Sequence, residues 1–157
     1  MMRNLILHVL PCSGKKLDHT ARVRDLYTGT TFRQALPVIE REAELATVLG
    51  PDTCVSAKHG LLELDEVIEP YDRRLDELDE QAMVVLEALL CKQLAELVGE
   101  RDNVEISAFL PRAYLRVLSA GAALVGKHVT VTDVYEGCRG IDDMRHVIAS
   151  VRATQAP

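Results

Sequence analysis

Cys12, Ser13, Gly14, Lys15 and Lys16 follow one another in the stretch "PCSGKK", directly after an apolar run. A glycine-containing turn exposes backbone N–H groups, and the lysines add charge. Such a turn can cradle a phosphate or a carboxylate. The GxxxxGK[ST] frame of a nucleotide phosphate loop is absent. Cys12 is also a candidate nucleophile, because neighbouring lysines and loop N–H groups stabilise negative charge, and His8, His19 or His59 stand as candidate bases. Its competing role is that of a small residue that lets backbone approach a ligand.

A second group lies in "SAKHGLLELDEVIEPYD", Ser56 to Asp72. His59 stands between Lys58 and Gly60, where a glycine permits a tight turn. Histidine titrates near neutral pH, so His59 is a candidate for proton transfer, and Lys58 can bind an anion or a carbonyl oxygen. Among the carboxylates Asp72 is preferred as catalytic, because Pro70-Tyr71-Asp72 sets a turn that can re-enter a site. Arg112 and Tyr114 in "PRAY" and Glu136 in "DVYEGCRG" complete the candidates. Arg112 with Lys15 or Lys16 would hold phosphate, and Tyr27 or Tyr114 would stack on a base. The acids match no EF-hand spacing and the four cysteines form no CxxC pair, so no metal site and no cofactor is assigned.

These residues need a frame. "NLILHVL" (4–10) reads as a first strand ended by Pro11, "TCVSA" (53–57) as a second, "NVEISAFL" (103–110) as a third and "KHVTVTDV" (127–134) as a fourth. Between them, Thr31 can cap a helix that begins at Phe32 and that Pro37 interrupts or starts, its solid part Pro37 to Leu49 and its stop Gly50. Residues 76–99 carry Met83, Leu86, Leu90, Leu94 and Leu97 on a helical stripe, and Pro111 opens another helix. A last helix covers about 141–152. The alternation predicts one α/β domain over 1–157. It is three-layered, with a mainly parallel sheet of about four strands and helices on both faces. In such a sheet the polar segments after the strands share one edge, and ligands bind there.

Composition narrows the class. The 157 residues carry a formal net charge of −6, so a basic duplex-binding surface is not expected. Arg22 with Arg24 and Arg73 with Arg74 form local basic pairs. The first apolar run is too short for a membrane span and lacks a cleavage pattern, so a cytoplasmic protein without membrane association is expected.

The blocks "PCSGKK", "RDLYTGTTFRQAL", "SAKHGLLELDEVIEPYD", "PRAYLRVL" and "YEGCRGIDDMRHVI" resemble, in order, an uncharacterised family of bacteria and their phages. That family carries no assigned activity. Pro11, Cys12, Ser13 and Lys16 are also similar to a short block in the core domain of archaeosine synthase, which acts on a modified guanine in transfer RNA. This likeness implies a nucleobase, nucleoside or nucleic-acid substrate. The expectation is a nucleotide- or nucleobase-handling enzyme that cleaves or exchanges a glycosidic bond or modifies a base. The alternative is a non-catalytic module that binds a nucleotide, nucleic acid or protein, with the helix 76–99 as a partner or homodimer face.

Overall fold

The computed structural model describes residues 4–45, 53–99, 101–137 and 146–150. A central sheet has the order β4-β3-β1-β6-β7. Its strands are β1 (Asn4–Pro11), β3 (Thr53–Ser56), β4 (Gly60–Glu63), β6 (Asn103–Ala108) and β7 (Val129–Asp133). β1 pairs in parallel with β3 through Val9↔Thr53 and Leu10↔Cys54, and with β6 from Asn4↔Asn103 to Val9↔Ala108. β6 and β7 are also parallel. The four parallel strands are those expected. The fifth, β4, runs antiparallel to β3 from Thr53↔Glu63 to Ser56↔Gly60. It occupies part of a stretch read from sequence as one polar loop.

Alternation along β1 builds two cores. Leu5, Leu7 and Val9 join Val55, Val104 and Ile106 on one face, under α3 (Glu80–Val98) and α4 (Arg112–Val125). Leu10, Cys54 and Leu62 face the other way, against Val23, Phe32, Ala35 and Ile39 of α1 (Val23–Leu26) and α2 (Thr30–Leu45). Helices therefore cover both faces, as the alternating pattern requires. Leu86, Leu90 and Leu94 are the buried stripe of α3. Asp79 caps that helix by accepting the Ala82 N–H at 2.7 Å, which accounts for the acids at its start.

One sequence boundary shifts. α2 begins at Thr30 and continues through Pro37 rather than starting there. Pro37 is exposed, so its ring meets water and its missing N–H removes one backbone bond from a helix whose inner face is packed. The expected stop at Gly50 lies outside the described residues, as do Cys138, Arg139 and part of the last helix. The polar stretch after β1 carries a short strand and the short helix α1. Its Ala21–Arg22 (β2) pairs antiparallel with Val67–Ile68 (β5).

That small ladder ties the excursion after β1 to the acidic run. Arg24 donates from Nε to Asp65 at 2.8 Å and from Nη1 to Glu40 at 2.6 Å. Arg22 reaches Asp25 and Asp65 at 3.2 and 3.8 Å. The Arg22 and Arg24 pair is thus neutralised within the fold and is no free anion patch.

Chain order fixes where a crevice opens. From central β1 the chain moves to β3 on one side, then returns to β6 on the other, and from there outward to β7. The connections after β1 and β6 therefore diverge, and the gap between their carboxyl ends is the topological switch point.

Candidate functional site

At that gap a cavity of about 500 Å³ opens. Cys12, Ser13, Gly14 and Lys16 come to it from the segment after β1, Asp72 to Asp76 from the segment before α3, and Pro111, Ala113 and Tyr114 from the start of α4. Cys12 and Tyr114 meet directly, with 3.1 Å between Sγ and the phenol oxygen. Burial, first, and the neighbouring Cys12 push the Tyr114 phenol above its ordinary range. Tyr114 therefore keeps its proton and can donate it to the sulfur.

The segment carrying Cys12 and Lys16 is held in place from several directions. The Cys12 N–H donates to the Val55 carbonyl at 3.0 Å. Ser13 is buried, and its hydroxyl accepts the N–H groups of Lys15 at 3.1 Å and Gly29 at 2.9 Å. A side chain at Gly29 would run into that hydroxyl, which is why the Leu-Tyr-Thr-Gly segment ends in glycine. The N–H of Leu17 donates to Leu26 and that of Thr28 to Lys15, each at 2.9 Å. Ser13 is thus chiefly a stitch between two segments, although it also lines the cavity.

Behind the cavity runs a chain of hydroxyls. Tyr27 and Tyr71 stand 2.5 Å apart, and Tyr71 and Ser56 2.6 Å apart, oxygen to oxygen. Ser56 Oγ accepts the N–H groups of Lys58 and His59, both at 3.1 Å. Those two donors fill its lone pairs, so the Ser56 proton points to Tyr71. The Tyr71 ring also takes three neighbours. Lys16 Nζ lies 4.5 Å from its centroid, Lys58 Nζ 5.7 Å, and the His59 ring sits edge-on at 5.1 Å. A cation over a tyrosine face gains about 0.5–1 kcal/mol at an exposed site. Tyr71 therefore anchors the chain next to Asp72 while placing Lys16.

The turn below this network is clamped. Gln93 of α3 accepts the Leu61 N–H at 2.8 Å and donates to the carbonyls of His59 and Leu61 at 3.1 and 3.2 Å. Gly60 has φ +67°, and a Cβ there would overlap the Gln93 oxygen. The glycine in Lys-His-Gly serves both the backbone turn and the approach of that amide.

Several sequence candidates converge here. Cys12, Ser13, Gly14, Lys16, Asp72 and Tyr114 line the cavity. Lys58 and His59 stand against the Tyr71 ring, next in the chain to Asp72. His59 does not line the cavity, however. Burial, then the Lys58 charge, lowers its pKa, so it is neutral at neutral pH, and its ring stands edge-on to Tyr71. Tyr27 is fully buried and cannot stack on a base; its hydroxyl belongs to the Tyr71 chain. Lys15, Arg112 and Glu136 are exposed and lie outside the lining. Tyr71, Ser56, Gln93 and Arg73 escaped the sequence reading as site residues. Only the Pro-Tyr-Asp block signalled Tyr71, and the basic pair signalled Arg73. Arg74 is held by Asp76 at 2.8 Å. Among the described residues no group of His, Cys, Asp and Glu could hold a metal ion, and no helix is long and apolar enough to cross a membrane.

Comparison with known families places the chain. It belongs to a family of unknown function, DUF6884, whose model matches residues 7–137, as the uncharacterised family expected from its sequence blocks. Comparison with curated proteins finds no match.

Proposed function

We propose that the protein is an enzyme that handles a nucleotide or nucleobase, acting on a glycosidic bond or on the base, in the cavity at the switch point. The observation that carries this reading is the convergence of Cys12, Lys16, Asp72, Arg73 and Tyr114 on one cavity between the carboxyl ends of β1 and β6. Open α/β sheets bind nucleotides in that crevice. Lys16 and Arg73 supply the charge for a phosphate. Asp72 serves as the base or accepts a sugar hydroxyl. The Cys12 thiol, paired with a phenol that holds its proton, faces the reacting atom. The similarity of Pro11, Cys12, Ser13 and Lys16 to the archaeosine synthase block favours a nucleobase over other ring systems.

A thermal-shift screen against nucleobases, nucleosides, nucleotides, single-stranded DNA and transfer RNA tests the reading. A ligand at a hundred times its Kd stabilises by about 2.7 kcal/mol, which moves a domain of this size by about 5–10 °C. The shift is expected from one nucleotide class and is expected to vanish in Lys16→Ala, with turnover lost in Asp72→Asn or Cys12→Ser. Absence of any shift would sink the nucleotide reading. Binding without turnover, unchanged by the Asp72 and Cys12 substitutions, would leave the non-catalytic module instead.

A further inference from the structure

Two cavities meet at Cys12. The second, about 260 Å³, is lined on its far side by Gly29, Thr30, Thr31 and Phe32, and it shares Cys12, Ser13, Gly14, Pro111 and Tyr114 with the first. The Cys12–Tyr114 contact therefore stands between two compartments rather than at the wall of one.

The two differ in chemistry. Lys16, Asp72, Arg73, Arg74 and Asp76 all belong to the larger compartment. The smaller has no charged side chain in its lining; it offers threonine hydroxyls beside apolar surface. An ion entering it would lose water without a counter-charge, which is costly, whereas an uncharged ring with a hydrogen-bonding edge would find partners. Size agrees with this division. Pockets for whole small ligands run to about 300–1,000 Å³, so the smaller compartment alone suits one part of a ligand and the two together suit a whole one.

We infer that the smaller cavity is the subsite for the uncharged ring of a two-part ligand whose anionic end occupies the larger cavity, so that the ligand lies across Cys12 and Tyr114. The inference rests on the nucleotide reading and deepens it: the base enters between Thr31 and Tyr114, and the sugar phosphate sits by Lys16 and Arg73. The bond between ring and sugar then crosses the Cys12–Tyr114 pair, which is where glycosidic chemistry would need a reacting group.

Isothermal titration of the full chain with the common ribonucleoside monophosphates and with ribose phosphate tests it. At least one nucleotide is expected to bind more tightly than ribose phosphate by about tenfold, or about 1.4 kcal/mol. Thr31→Phe fills the smaller compartment and should erase that preference while leaving ribose phosphate affinity in place. Thr30→Phe, at an exposed position, repeats the test if the first variant is unstable. A preference that survives both substitutions overturns the inference, as does an equal loss of ribose phosphate binding. Equal binding of ribose phosphate and every nucleotide by the unsubstituted chain overturns the inference but leaves the nucleotide reading standing. Failure to bind either probe overturns the inference, and the nucleotide reading falls with it only if the thermal-shift screen is empty as well.

Discussion

Gly60→Ala should be among the most damaging single-methyl additions in this protein, and its cost can be apportioned. Gly60 has φ +67°, a left-handed conformation that costs an alanine about 1–2 kcal/mol. The new Cβ would also displace Gln93, whose amide makes the bonds to Leu61 N–H and to the carbonyls of His59 and Leu61. At about 0.5–1.5 kcal/mol net for each bond, their loss adds about 2–4 kcal/mol. The sum is about 3–6 kcal/mol, against a total stability on the order of 5–15 kcal/mol. For a chain of this length that lowers Tm by on the order of 10 °C. Gln93→Ala removes the clamp beforehand. In that background Gly60→Ala should cost the backbone share, about 1–2 kcal/mol, together with a small adjustment of Leu89, which the new Cβ would meet at 3.2 Å. Urea denaturation of both single variants and the double variant closes the cycle, with an expected coupling of about 2–4 kcal/mol. If Gly60→Ala costs the same with and without Gln93, the amide does not clamp the turn and the reasoning fails.

The other expectations concern the phenols and His59. Tyr71→Phe keeps the ring under Lys16 but strips a partner from the hydroxyls of Tyr27 and Ser56, so a loss of about 1–3 kcal/mol is expected by thermal denaturation; an unchanged Tm would show that the hydroxyl chain is idle. Burial, first, raises the phenol pKa of Tyr27, Tyr71 and Tyr114. Their contribution is fully present below the unfolded value of about 10, and it is lost as pH rises past that value towards the folded ones, because the unfolded chain releases protons that the native one keeps. Stability should therefore fall above about pH 10, with phenolate absorbance from these tyrosines appearing only on unfolding; phenolate in the folded chain near that pH would contradict it. His59 has the opposite sign: its pKa is lowered in the fold, so its contribution is present above the unfolded value of about 6.5 and declines as pH falls through the folded one. His59→Gln should flatten the acid side of the stability profile relative to the parent, and parallel profiles would remove His59 from that account.

How much of this could be read from the sequence follows from how far apart the partners lie. The strands were legible because an apolar run and its terminating proline or glycine are neighbours in the chain. The edge of the sheet was legible because alternation of strands and helices implies a parallel sheet, which brings the ends of its strands together. Cys12, Lys16 and Tyr114 could be nominated on that rule, and Asp72 on the turn that Pro70-Tyr71-Asp72 sets. Pairing could not. Cys12 and Tyr114 are 102 residues apart, Tyr27 and Tyr71 are 44 apart, and Leu61 and Gln93 are 32 apart. Nothing local to Tyr27 distinguishes an accessible stacking ring from a fully buried one; the distinction lies in Phe32, Lys16 and Tyr71 closing over it. The strand β4 was hidden for a related reason. Gly60, Leu61 and Leu62 read as the tail of a polar loop until Gln93 and the partner strand β3 supply the hydrogen bonds that make them a ladder.

The same separation explains what the network is for. Three of the four tyrosines bring their hydroxyls to within one or two contacts of Cys12 or Lys16. Each arrives from a different segment: Tyr27 after α1, Tyr71 before α3, Tyr114 in the first turn of α4. A phenol pairs a rigid ring with a polar tip, so it can fill a core and still present an oxygen at a fixed point. With so few other aromatic residues in the chain, placing three of them at this one edge is costly unless position matters there. Lys16 shows what position achieves. Its long side chain would sample many rotamers in water, but over the Tyr71 ring its ammonium is held at the mouth of the charged compartment. The tyrosines thus steady a flexible lysine at the cavity lining, and the Ser56 and Tyr27 hydroxyls keep Tyr71 from turning away.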